Sequence, residues 1–399
     1  MADMSKPESL PSFPGHFRLS PEFRLLAACS WVAPSSLEQD QAEKIVSLCN
    51  ECTDWGAFTA LVNRHEVSAL VYAALRKHAD NRFPNNVREK LKGRSEQVRR
   101  QALLHAAELV RLIRKFAGHG IEVLPLKGVM LSLQLFGDPG MRHSRDMDLM
   151  VKLEDLDRTD RLLEAEGYRR IFPGTGMTAR QRRYLVSKNY HYEYLHERLG
   201  LHLELHWRCE LWTPEQSEEL WGQCRPVDWM GVRIKCPAED ALLLFLSDHG
   251  ARHKWMRLKW LGDVAMLLSR QRPAECDDLL AIARRLDLTL ILAQTALLTH
   301  WLYGIRLSEP LLTLIIREKS AFALATEALD AMLGAEGYRF LNGLRDMRYS
   351  MCLKKTISHY TALKRLLISP TDFEEFPLPD SLFWLYYPLR PILWIKRHI

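Results

Sequence analysis

Residues 124–151 read LPLKGVMLSLQLFGDPGMRHSRDMDLMV, and within them the period of the chain changes twice. Leu124-Pro125-Leu126 ends a short apolar run from Ile121 that suits a strand, and Lys127-Gly128 closes it. Val129 to Phe136 is long and apolar enough for two helical turns, after which Gly137-Asp138-Pro139-Gly140 breaks the chain. In DMDLMV, Asp146, Asp148 and Met150 alternate with Met147, Leu149 and Val151, so the two aspartates share one face of a second strand. The order is strand, helix, strand.

Upstream, residues 20 to 118 read as helix. Ser20-Pro21-Glu22 is a cap with proline at the first helical position, and the cap-then-acid pattern recurs at Ser36. Leu103, Ala106, Val110, Ile113 and Ala117 recur at spacings of three and four and predict the buried stripe of a long helix, which Gly118 and Gly120 end. Downstream, LEDLDRTDRLLEAEG predicts a helix, and YHYEYLHE and GLHLELHWR alternate with period two about Arg198-Leu199-Gly200, the pattern of a hairpin. In its second strand His202, Glu204 and His206 share a face. Helical periodicity returns at CPAEDALLLFLSDHG, and the last fifty residues are basic, aromatic and interrupted by Pro370, Pro377, Pro379, Pro388 and Pro391.

Bulk composition narrows the class. With 399 residues, 47% hydrophobic and 26% charged, the chain has the make-up of a globular protein of more than one packed unit. The formal net charge of +6 permits an anionic substrate and falls short of a nucleic-acid-binding signature. No stretch approaches the roughly 18 apolar residues of a spanning helix, and the N-terminus lacks the charged-then-apolar order of a secretory signal, so a cytoplasmic location without a transmembrane segment is expected. The eight cysteines form no framework, and Cys49-Asn50-Glu51-Cys52 reads best as two unrelated thiols.

Two carboxylates at i and i+2 on a strand can share divalent cations, and transfer at phosphorus needs such cations to neutralise the phosphate oxygens. A third acid on a neighbouring strand, Glu204, would complete the set. Lys127-Gly128 precedes them at a helix start, where backbone amides approach a phosphate closely. Alone, D-x-D is a chance-level motif; the ordered combination carries the weight.

These segments, LPLKGVMLSLQLFGDPGMRHSRDMDLMV followed by LHLELHW, resemble the uncharacterised nucleotidyltransferase family of the DNA polymerase β superfamily. Its pattern is an L-K-G element, an R-x-S-x-D-hydrophobic-D-hydrophobic strand and a later acid-L-H-W strand. The likeness extends to HGARHKWMRLKWLGDVAMLL and YYPLRPILW. It implies that Asp146 and Asp148 ligate Mg²⁺ (or Mn²⁺), and that Glu204 is the third acid, binding one metal and activating an acceptor hydroxyl. Lys127 and Gly128 would contact nucleotide phosphates, as would Arg142 and Ser144 at the R-x-S positions. The chain departs from the superfamily in having Lys127-Gly128-Val129 where a Gly-Ser or Gly-Gly pair is usual, and in the long spacing from Gly128 to Asp146.

The expected architecture is α+β: an N-terminal helical region over 1–118, a small mixed-sheet nucleotidyltransferase core over 119–236, a helical domain over 237–345 and a basic aromatic tail over 346–399 packed on the body. The expected activity is metal-dependent transfer of NMP from an NTP, with ATP the expected donor, to a small-molecule or protein acceptor, with release of pyrophosphate. The alternative is a non-catalytic nucleotide-sensing or partner-binding protein that retains the fold. An RNA-modifying transferase would need a basic groove that this charge does not demand. His249 and His253 stand at the i, i+4 spacing of a zinc pair without an intervening glutamate; Trp255 or Trp260 could stack on a base, Lys254, Arg257 or Lys259 could meet phosphates, and Asp263 could anchor one of these groups.

Overall fold

Ser20 opens the first helix as predicted, its Oγ accepting the Phe23 N–H at 3.2 Å, with Pro21 at the first helical position. The structure is a computed structural model and describes residues 10–174, 176–210, 212–272, 275–334, 348–353, 368 and 370–398. Helices α1 (Pro21–Cys29), α2 (Glu38–Glu51), α3 (Trp55–His65) and α4 (Ser68–His78) lead into the 33-residue α5 (Asn85–Ala117).

Two local expectations are corrected here. Ser36 does not cap α2: a turn in which the Leu37 N–H donates to Pro34 O delays the helix to Glu38, behind Leu37, which supplies no side-chain cap. The stripe of α5 is also displaced, since Leu103 is 58% exposed and Ala117 is exposed, while Ala102, Ala106, Leu109, Val110, Leu112 and Phe116 are buried. The larger residues Leu109, Leu112 and Phe116 set the buried face, because area buried decides which side of a helix turns inward.

The strand–helix–strand prediction holds as β1 (Leu124–Pro125), α6 (Gly128–Phe136) and β2 (Asp146–Met150). After them come α7 (Leu156–Ala165), β3 (Arg169–Phe172), α8 (Ala179–Lys188) and the predicted hairpin of β4 (His191–His196) and β5 (Leu201–His206). These strands form one mixed sheet in the order β1-β2-β5-β4-β3, with β2 and β5 parallel and the other pairs antiparallel. α9 (Pro214–Gly222) precedes a two-stranded sheet of β6 (Cys224–Trp229) and β7 (Val232–Pro237). Met230 and Gly231 turn between them with φ of +50° and +72°, the left-handed pair that a two-residue hairpin favours.

Six helices follow: α10 (Glu239–Arg252), α11 (Leu258–Leu268), α12 (Cys276–Arg285), α13 (Thr289–Tyr303), α14 (Glu309–Arg317) and α15 (Ser320–Leu333). The last described elements are α16 (Pro370–Glu375) and α17 (Tyr386–His398). The fold is α+β, as the sequence predicts. No helix among the described residues is long and apolar enough to cross a membrane.

The chain divides into two compact units. One comprises Met1–Leu104, Leu131–Ser144 and Ala238–Lys354, so the stretches expected as separate N- and C-terminal helical regions build one body. At its centre α13 is buried nearly all round, as an almost uniformly apolar helix must be. Gly262 lets α11 approach α1 closely, because a Cβ there would lie 2.5 Å from Ser30 O.

The other unit comprises His105–Met130, Arg145–Pro237 and Lys355–Ile399 and holds the five-stranded sheet. In it the described part of the tail packs on α8 and its flanks: Ile368, Phe373, Phe383 and Tyr386 cluster with Met177, Tyr184 and Leu378. The Gln181 amide donates to Leu378 O at 2.9 Å and to Tyr386 Oη at 3.0 Å.

Candidate active site

The sheet places the acids side by side. In the parallel β2–β5 pair Asp148 is opposite Glu204 and Asp146 opposite His202, so the acids project from one face. Across the antiparallel β4–β5 pair Glu193 is opposite Glu204 and His191 opposite His206. Asp148 is 2% exposed although charged, since β2 lies between β1 and β5; Glu204 and Asp146 are half-buried and His202 is exposed.

A buried carboxylate needs charge compensation. Lys127 provides it, its Nζ lying 2.9 Å from Asp148 Oδ1. The His206 Nε2 lies 3.1 Å from Glu204 Oε2 and 3.4 Å from Asp148 Oδ1, so one imidazole joins the two acids. Burial opposes ionisation of Asp148, yet Lys127 and His206 outweigh it and hold the carboxyl well below the usual range. Glu204 is likewise lowered, its burial outweighed chiefly by the hydrogen bond from His206. Burial alone would lower Lys127, but the charges of Asp148, Asp146 and Glu204 raise it, so the ammonium is retained. His206 is raised for the same reason, Asp148 and Glu204 overriding burial.

Gly128 begins α6 with φ +70°, a conformation that side-chain-bearing residues adopt with strain. Arg142 and Ser144 belong to the helical unit. The Arg142 side chain is buried and its Nε donates to both oxygens of Asp263, at 3.0 and 2.8 Å, so this guanidinium is engaged within the body. Asp263 therefore anchors Arg142, and not one of the groups of HKWMRLKW for which the sequence suggested it. Ser144 is half-buried.

The same unit holds a second charged cluster. Glu66, at φ +55° and 6% exposed, ion-pairs with Arg257 and Lys259 and lies 3.5 Å from His143 Nδ1. Burial opposes ionisation of Glu66, but the hydrogen bond with His143 and the charges of Lys259 and Arg257 outweigh it and hold the carboxyl far below the usual range. Burial and the neighbouring Arg142 push Lys259 down to about 8. Trp255 is fully buried, with its ring against Gly250 where a Cβ would meet it at 2.3 Å, so it cannot stack on a base. That packing accounts for the glycine inside α10. His249 and His253 pack on each other at 4.7 Å and on Trp260 at 5.4 and 5.0 Å. Burial pushes the thiols of Cys49 and Cys52 up to about 11 and about 12, away from the thiolate form.

Sequence reasoning missed His191. It is 8% exposed, its ring lies 5.2 Å from that of His206 at 28°, and the donor atoms of His191, Glu204 and His206 lie within 4.8 Å of one another. The signal was present: a loop of Glu197 to Gly200 pairs His196 with Leu201 and therefore His191 with His206. The link between Lys127 and Asp148 had no comparable signal, because it depends on β1 lying beside β2.

Comparison with known proteins adds the family. The curated proteins and the solved structures offer no match. A family model described as uncharacterised nucleotidyltransferase matches residues 51–304, more than half of the 399, and takes in both the acid-bearing strands and the Arg142–Asp263 pair. With that match added to the strand order and the paired acids, the chain belongs to this uncharacterised nucleotidyltransferase family.

Proposed function

We propose that the chain transfers a nucleoside monophosphate from an NTP, with ATP the expected donor, to an acceptor hydroxyl and releases pyrophosphate. The observation that carries this reading is the register of Asp148 against Glu204 on parallel strands, with Asp146 on the same face and Lys127 drawn in by all three acids. Family membership supports the class of reaction.

The residues suit a divalent cation. Their donors are carboxylate oxygens, the ligands that Mg²⁺ and Mn²⁺ prefer, and strand register puts them on one face of the sheet. Asp146, Asp148 and Glu204 would hold it, and it would supply neutralisation of charge on the phosphate oxygens and leaving pyrophosphate. Lys127 adds a fixed positive charge beside the acids and, with the amides at the start of α6, attracts the phosphates. Glu204, more exposed than Asp148 and steadied by His206, takes the proton of the attacking hydroxyl. Arg142 acts by fixing the start of the RHSRD segment to Asp263.

One observation favours the alternative of a nucleotide sensor without turnover: Lys127 already neutralises Asp148. Incubation with α-labelled NTP, Mg²⁺ or Mn²⁺ and a panel of metabolite and protein acceptors separates the two. Transfer of label with pyrophosphate release, lost in Asp148→Asn, supports the transferase. Nucleotide binding without release for any acceptor supports the sensor.

A further inference from the structure

We propose that His191, Glu204 and His206 form a binding site for a transition cation of the Zn²⁺ and Co²⁺ class, distinct in its donors from the carboxylate position that suits Mg²⁺. The site does not require nucleotidyl transfer to be correct: it shares Glu204, and the His206 that steadies it, with that reading, and takes His191 from outside it.

Strand register assembles the donors. His191 and His206 are directly opposed across β4 and β5, and Glu204 lies two residues from His206 on the same face. Two ligands each about 2.1 Å from a tetrahedral zinc ion lie about 3.4 Å apart. The three donor atoms, within 4.8 Å of one another, close on one ion with side-chain adjustments of about 1–1.5 Å in their separations. The site is also held in place. Tyr190 packs at 4.3 Å from the His191 ring and 5.8 Å from the His206 ring, and Glu193 Oε1 lies 3.3 Å from His191 Nε2. A carboxylate behind an imidazole is a common means of orienting a metal-binding histidine.

A second observation points to a ligand. His191 is more than nine-tenths buried, and its Nδ1 has no hydrogen-bond partner among the described residues. A buried imidazole nitrogen left unpaired is costly unless something coordinates it. The ion class follows from the donors: two imidazole nitrogens and one carboxylate suit Zn²⁺, Co²⁺ and their neighbours, whereas Mg²⁺ selects oxygen ligands and gives up water reluctantly. With three protein ligands, the coordination sphere keeps a position open to solvent or substrate.

The test uses the full chain stripped of metal, without nucleotide. Titration with Co²⁺ is followed by visible absorption, then competed with Zn²⁺ and with Mg²⁺. The expected result is a saturable Co²⁺ band that Zn²⁺ abolishes near one equivalent and a large excess of Mg²⁺ leaves in place. His191→Ala should weaken Co²⁺ binding by at least about tenfold, and the more conservative His191→Gln, with folding verified by circular dichroism, should do the same. Binding of Co²⁺ no tighter than Mg²⁺, or unchanged affinity in both His191 variants, would overturn the proposal. Because no NTP is present, failure here leaves the transferase reading untouched, and absence of label transfer leaves this site untouched.

Discussion

Around Glu66 one carboxylate is enclosed by Arg257, Lys259 and His143, and nearby Asp263 is closed by Arg142; around Lys127 one ammonium faces Asp148, Asp146 and Glu204. Both clusters are largely buried, yet their balance is opposite. In the first, named cations outnumber carboxylates and both oxygens of Glu66 are ion-paired. In the second, Lys127 and His206 stand against the three carboxylates of Asp148, Asp146 and Glu204. Buried carboxylates closed by cations fix a structure, because removing one partner strands the other. An excess of buried carboxylate calls for a cation from solution, which is how a site becomes chemical.

That contrast is broken most severely by activity. Asp148→Asn should reduce label transfer by at least about a hundredfold, while its Tm moves little, since Asp146 and Glu204 still face Lys127. Arg142→Ala should show the reverse pattern in stability: with Asp263 left buried and unpaired, denaturant unfolding should report a loss of about 3–5 kcal/mol. If Arg142→Ala unfolds normally and instead raises KM for NTP, the guanidinium belongs to the nucleotide site.

Smaller effects test the frame of the cationic cluster. Gly250→Ala sets a Cβ against the buried Trp255 ring, next to the corner that carries Arg257 and Lys259. Overpacking costs about 1–3 kcal/mol, more than the about 1 kcal/mol that alanine gains in a helix, so the urea midpoint should fall. The smallest signal is in pH. Lys259 is depressed to about 8, so between that pH and its unfolded value of about 10.4 the unfolded chain binds the extra proton and stability from this group rises with pH. The stability difference between wild type and Lys259→Met should therefore grow in favour of wild type from pH 8 to about pH 10. A flat difference would mean that Lys259 titrates normally.

The parts of this molecule legible in the sequence are those whose reasons are local. The period change before Asp146, the Ser20–Pro21 cap and the alternation of the β4–β5 hairpin are each decided within a few residues, and all three appear in the structure. β3 escaped because it is four residues long with no buried position, and β6 because Pro226 interrupts it; β7, with Val232, Ile234 and Cys236 alternating with Arg233 and Lys235, carried a signal that was not read. Met230-Gly231 was the one turn signal there. The joining of Leu131–Ser144 and Ala238–Lys354 to the N-terminal helices is a matter of long-range packing that no window can show. At the site, Asp146, Asp148 and Glu204 were legible from alternation and family likeness, whereas the pairing of Arg142 with Asp263, 121 residues away, was not.

The most direct measurement is metal-dependent pyrophosphate release by the wild-type chain, given NTP and an acceptor panel, with Asp148→Asn and a chelator as controls. The account predicts release that needs Mg²⁺ or Mn²⁺ and disappears in both controls. Release that persists in Asp148→Asn, or nucleotide binding with no release for any acceptor and either cation, would contradict it.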